Sequence, residues 1–391
     1  MKSIMIVTGL LLLFSIEILR VYFIMPFPGS QQSNTIPFAY WLSRNIVWLR
    51  IPGLLLVIFP CLTFFKSART WAKIVVSLLL VLYGVIFFFV NYRFEADKMF
   101  YQPGQKTFSS AADNNIDGNK LVIGVAINGE ARAYPIQLIG YHHQVRDSIG
   151  NTPVMITYCT VCRTGRAFSP AVNGKIETFR LVGMDHFNAM FEDETTKSWW
   201  QQATGVSVAG PLKGVKLKEL PSEQASLDSW FKQYPNSLVM QPDNTFRKQY
   251  EQLANYDKGI GKSSLTKRDS ASWMPKSWVI GLTHNQTAKA YDWNQLVRSR
   301  IISDSLPDLP LVLTLENDTA TFHAFERTLK GNVLSFFAAG KGQMKSSDGS
   351  VWNLSGECVE GILKGEKLSK IQAYQEFWHS WKTFRKETLR S

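Results

Sequence analysis

The sequence predicts an N-terminal three-helix transmembrane region followed by a mainly β, α+β soluble part built from two tandem copies of one β-rich unit. Three observations predict it. Three apolar runs lie before residue 95, short β-branched stretches bounded by turn residues fill the remainder, and a passage at residues 122–134 returns at residues 279–291. The boundaries read from these are 1–94 for the helices, 95–243 for a first repeat and 244–391 for a second.

The apolar runs, residues 4–27, 46–65 and 74–90, are each long enough to cross a bilayer as a helix. The first sits where a signal peptide would, but it lacks a small-residue cleavage site and two more runs follow it. Glu17 and Arg20, three apart, are expected to pair on one helix face or to snorkel to the interface. The short loop KSARTWAK carries Lys66, Arg69 and Lys73, whereas the longer loop before the second run has only Arg44, so the former is expected to be cytoplasmic. An odd number of spans then places the soluble part outside, giving a multi-pass protein of the cell (inner) membrane with a periplasmic C-terminal part.

A formal net charge of +12 suits a soluble part lying against anionic headgroups. Nucleic acid is excluded as a partner, because there is neither an aromatic RNP stretch nor zinc-finger spacing. Of the four cysteines, Cys61 lies in the second apolar run and reads as a small apolar residue. Cys159, Cys162 and Cys358 remain, an odd set that cannot all pair within the chain.

The repeat has two offsets. VIGVAINGEARAY at residues 122–134 aligns with VIGLTHNQTAKAY 157 positions later, and GVSVAGPLKGVKL at 205–217 aligns with GECVEGILKGEKL 151 positions later. Two such units packed about a pseudo-twofold axis would bury the strand edges each exposes alone. At the first offset Cys159 and Cys162 become Glu316 and Thr319, and His142 and His143 become Ser299 and Arg300. At the second, Ser207 becomes Cys358, which either completes a shared site with the other thiols or is a lone thiol. Residues 241–276 are polar and Lys-rich and read as linker; GIGKSS within them has Tyr256 where a phosphate-binding loop needs its first glycine.

Reactive residue types cluster in PVMITYCTVCRTG, residues 153–165. Val154, Ile156 and Tyr158 alternate as a strand, so Cys159-x-x-Cys162 falls in a β-turn, with another hairpin turning at Asn173-Gly174. The two-residue gap brings both sulfurs to one side of the turn, where they can form a disulfide or share a metal ion. A thioredoxin-like site needs a helix after its first cysteine, and none is predicted. Haem attachment needs His where Arg163 stands.

Around the pair, His142 and His143 are candidate metal ligands or bases, with at least one expected to face the thiols, and His186 is a candidate fourth ligand. Arg163 and Arg166 flank the thiols and are expected to lower their pKa or hold an anion. Trp199 and Trp200 are candidate pocket walls or core residues. Asp185, Glu192, Asp193 and Glu194 can hold a cation or form a solvated face. No hydrolase motif is visible.

TYCTVCRTGRAF, SWWQQATGVSVAGPLKGVKL, YDKGIG, KSWVIGL with AKAY, and the closing FWHSWKTF together resemble the domain of unknown function 3179 family over about residues 100–391. The resemblance implies redox chemistry at Cys159 and Cys162, since relatives of this kind sometimes carry selenocysteine in the motif. Where relatives often have Tyr-Cys-Pro-Leu-Cys, this chain has Thr160-Val161 between its cysteines, so a rigid turn residue is missing.

Three functions follow as expectations. In the first, a thiol oxidoreductase, Cys159 or Cys162 attacks, the other resolves, and Arg163 or a histidine stabilises the thiolate. The second is a copper or zinc site using both cysteines with Cys358 or a histidine. The third is a binding module with a structural disulfide. Each needs a partner that the sequence does not name, an electron or a metal partner for the first two, besides the membrane.

Overall fold

The computed structural model describes residues 1–340 and 342–391. It has three long apolar helices, α1 (Lys2–Tyr22), α2 (Ile36–Ser67) and α3 (Thr70–Tyr92), each long and apolar enough to cross a membrane. A mostly β part made of small sheets follows. The chain divides into two compact units. One comprises Met1–Tyr101, Glu177–Gln201 and Val206–Lys216; the other Gln102–Ile176, Gln202–Gly205 and Leu217–Ser391.

In the first unit α2 begins ten residues before its apolar run. Pro37 suits the first turn, where its missing N–H is not needed, and Ile36 and Ala39 are buried against Val182, Met190 and Trp199. The residues too polar for lipid thus gain helical structure from protein contact. The sheet they meet runs Ser207–Ala209, Trp199–Gln201, Asn188–Asp193, Phe179–Asp185, and Met184 N–H donates to Ile24 O at 2.7 Å.

Glu17 and Arg20 do not pair with each other. Glu17 is completely buried and receives Arg50 of α2 in a fork, Nε to Oε1 at 2.7 Å and Nη2 to Oε2 at 2.9 Å, with Asn91 Nδ2 donating to Oε2 at 3.1 Å. Arg20 instead reaches Asn91 and Glu95. Partners outside α1 complete both charges, and Arg50 offers Glu17 the planar, bidentate geometry that a three-residue spacing on one helix does not.

The second unit opens with a hairpin, Leu121–Ile127 and Glu130–Pro135, flanked by antiparallel Glu223–Ser226 on one side and parallel Leu238–Met240 on the other. Trp278–His284 and Thr287–Asp292 form a hairpin flanked in the same sense by Ala373–Phe377 and Leu389–Arg390. Even the register recurs: Ile123 faces Gln224 and Tyr134, and Ile280 faces Gln375 and Tyr291. Gly124 and Gly281 each lie under a tryptophan ring. A Cβ would come within 2.3 Å of Trp230 in one and 2.2 Å of Trp381 in the other, so both positions need glycine. A second kind of sheet, Gln144–Ile149, Thr152–Cys159, Thr164–Phe168 and Glu219–Leu220, has the strand order of Ile301–Leu306, Leu309–Leu315, Phe322–Glu326 and Ser369–Lys370.

Residues 241–276 are not a bare linker. They hold the helix Arg247–Gln252 and two short 3₁₀ turns, and Tyr250 and Tyr256 are buried. The polar composition concealed two tyrosines that serve the site described next.

Candidate functional site

The strands Thr152–Cys159 and Thr164–Phe168 form the predicted hairpin, and Cys159-Thr160-Val161-Cys162 is its turn, closed by Cys162 N–H donating to Cys159 O at 3.3 Å. Arg163 takes a left-handed backbone with φ of 55° to re-enter the strand. Both cysteines and Arg163 have no exposed surface, and none of the four cysteines is disulfide-bonded.

The cover over this turn comes from residues far along the chain. Phe377 N–H donates to Cys162 O at 2.9 Å, and Tyr256 Oη donates to Thr160 O at 2.8 Å. Lys276 Nζ donates to Val161 O at 2.6 Å and lies 3.1 Å from Nε2 of His379. The same Nε2 lies 3.2 Å from Val161 O, so it accepts from the ammonium in one tautomer and donates to the carbonyl in the other. Burial, with the ammonium beside it, pushes the His379 pKa down to about 4. Burial also lowers the Lys276 pKa, while Cys162 and Cys159 act on it in the opposite direction. Ser380 Oγ lies 3.3 Å from Thr164 Oγ1 and donates to Glu376 Oε2 at 3.0 Å.

The two arginines are held rather than offered. Arg163 Nε donates to Gln375 Oε1 at 2.7 Å, its Nη atoms reach the carbonyls of Tyr256 and Asp257, and its guanidinium lies 3.9 Å from the Trp278 ring centroid. Arg166 is buried in ion pairs with Glu376 and Glu219, its guanidinium 3.4 Å from the Tyr374 ring centroid. The expectation that flanking arginines lower the thiol pKa fails for Cys162. Burial pushes it well above the ordinary value, a hydrogen bond with Cys159 adds to that, and Ser380 and Lys276 pull it back only in part.

The other sequence-predicted residues are distributed as follows. His142, on the helix Ile136–His142, meets Tyr250 Oη through Nε2 at 2.6 Å. His143 donates from Nδ1 to Tyr158 O at 3.0 Å, one residue from Cys159, and burial pushes its pKa down to about 4. Cys358, in the strand Cys358–Glu360, packs among Phe336, Met344 and Trp352 and donates to Glu360 O at 3.3 Å.

His186, Trp199 and Trp200 belong to the other compact unit. His186 Nδ1 meets Asp185 Oδ1 at 2.5 Å. The Trp199 and Trp200 indoles donate to Glu192 Oε2 at 2.9 Å and Asp193 Oδ2 at 2.8 Å, so the acidic run fixes two buried tryptophans. Among the described residues no three His, Cys, Asp or Glu side chains gather as a metal-holding group.

Lys276, His379, Ser380 and Gln375 went unnoticed in sequence because they lie over a hundred positions from the cysteines. Lys276 and His379 do fall inside KSWVIGL and FWHSWKTF, two of the motifs that carry the family resemblance.

No curated protein and no solved structure matches the chain. The family model described as "Protein of unknown function (DUF3179)" matches residues 102–388, so the chain belongs to that family.

Proposed function

We propose that this protein is a membrane-anchored thiol oxidoreductase whose soluble part faces the extracytoplasmic side, with Cys159 and Cys162 as its redox pair. The observation that carries the reading is Lys276, whose ammonium is bonded to the turn between the two cysteines. Burial holds the Cys162 pKa well above its ordinary value, and the cation fixed there offsets part of that, favouring the thiolate that is the nucleophile in disulfide exchange. The basic loop between α2 and α3 supports the orientation.

The step balances with a disulfide of a partner protein as oxidant. One cysteine thiolate attacks a partner sulfur and expels the other as thiolate. The second cysteine then attacks the mixed disulfide, leaving a Cys159–Cys162 disulfide and a dithiol partner. Two electrons and two protons pass to the partner. Both sulfurs are covered, so exchange requires the segment around Phe377–Ser380 to lift from the turn.

Copper or zinc binding has less support. His379, an imidazole at the cysteine turn not foreseen in sequence, has Nε2 3.1 Å from an ammonium, and that ammonium also opposes a cation beside the sulfurs. The recurring sheet order and register support two tandem copies of one unit, and we read the soluble part as a duplication.

The test uses full-length Cys159→Ser and Cys162→Ser proteins in native membranes, acid-quenched and searched for mixed disulfides, with elemental metal content measured on the wild type. A mixed disulfide trapped in one variant, lost on reduction, is expected. Stoichiometric copper or zinc with masked thiols, or no reversible oxidation of the pair, would overturn the reading.

A further inference from the structure

The loop Glu316 to Thr321 joins the strands Leu309–Leu315 and Phe322–Glu326, the place that the cysteine turn holds in its own sheet. Its cover is equivalent too. Ser226 and Ser229 lie 151 positions before Phe377 and Ser380. Ser226 N–H donates to Thr321 Oγ1 at 2.9 Å, and Ser229 Oγ donates to Glu316 Oε2 at 2.8 Å. The thiol site therefore has a counterpart, in which the serine of the cover is kept but the cysteines, Arg163, Lys276 and His379 have all changed type.

At offset 157, Cys159 becomes Glu316, Arg163 becomes Ala320, and Lys276 answers to Asn119; at offset 151, His379 answers to Asp228. One thiol gives way to a carboxylate and the other, Cys162, to the hydroxyl of Thr319; the guanidinium gives way to a methyl, the ammonium to an amide and the neutral imidazole to a carboxylate. Replacing Arg163 by Ala320 also removes the side chain that fills the space beside the turn. Where the thiol site is sealed, its counterpart opens into a cleft of about 720 Å³ lined by Asn119, Asp228, Ser229, Glu316, Asn317 and Asn353 among others.

We propose that this cleft binds a neutral, polyhydroxylated ligand of the saccharide class. The inference rests on the repeat, not on the thiol chemistry. Glu316 is already held by Ser229 Oγ and His323 Nε2, so Asp228, Asn119 and Asn317 carry the recognition; their planar carboxylate and amide groups present two polar atoms side by side, which suits the adjacent hydroxyls of a sugar, each both donor and acceptor. Two of the lysines at the cleft, Lys367 and Lys370, already face Glu357 and Glu223, so the lining is of mixed charge and selects neither a simple anion nor a simple cation. Its large apolar side chains, Leu354 and Leu368, are themselves buried, which leaves hydrogen bonding as the means of recognition.

The experiment is saturation-transfer NMR on the full chain in lipid nanodiscs with maltose, cellobiose and chitobiose as probes. Glycylglycine and spermidine serve as zwitterionic and cationic controls. Binding of at least one disaccharide is expected, weakened about tenfold or more by Asp228→Asn and by Asn119→Leu and unchanged in Cys159→Ser. Asp228 is exposed, so its isosteric amide keeps the fold and isolates the contact. No transfer to any disaccharide, binding indifferent to both variants, or preferential binding of either control would overturn the proposal.

Discussion

Gln224 donates from Nε2 to Oε1 of Gln375 at 2.9 Å, and the two residues are 151 positions apart, the offset of the repeat itself. A residue meeting the one that stands at its own repeat offset is what a twofold axis between two like units would produce, and it supports the duplication proposed above. The same Oε1 receives Arg163 Nε, so this contact also fixes the arginine next to the cysteine turn.

Gln375→Met should therefore destabilise the chain more than its size change implies. It strips a completely buried guanidinium of one acceptor, at about 1–3 kcal/mol. Chemical denaturation of wild type and variant checks this. Gln224→Met, which removes only a donor to an oxygen still occupied by Arg163, should cost less.

Lys276→Met should slow alkylation of the Cys159 and Cys162 thiols by iodoacetamide about tenfold or more, because the ammonium that favours the thiolate is gone. Lys276→Arg should restore most of the rate. If both variants react as wild type does, Lys276 only holds the turn.

Acid should weaken the soluble part between about pH 6.5 and pH 4. His143 and His379 are held neutral with pKa values near 4, below the ordinary 6.5. In that window the unfolded chain binds protons that the folded chain does not, so stability falls as pH falls. Each histidine contributes on the order of 3 kcal/mol. Replacing His379 by Gln should flatten the unfolding-midpoint profile over this range; an unchanged profile would place the titration elsewhere.

Glu17→Gln should loosen the helical region by about 3–5 kcal/mol, since it leaves the Arg50 guanidinium without its carboxylate in a buried setting. Asn91→Leu, which removes a neutral partner, should cost about 1–2 kcal/mol. Thermal inactivation of detergent-solubilised full-length protein distinguishes the two.

The sequence by itself determined the three apolar helices, the cysteine turn between two strands, the family and the internal offsets. Each is a local pattern, set by periodicity, turn chemistry or self-alignment, and needs no knowledge of what lies opposite. Only the tertiary structure decided who surrounds the thiols. Lys276, His379, Ser380 and Gln375 arrive through strand pairing and hydrogen bonds spanning more than a hundred residues. It likewise decided that Glu17 meets Arg50 rather than Arg20, and that the acidic run beside His186 fixes tryptophans. Buried charges and polar groups take whichever partner completes their geometry, and that choice is made among neighbours in space.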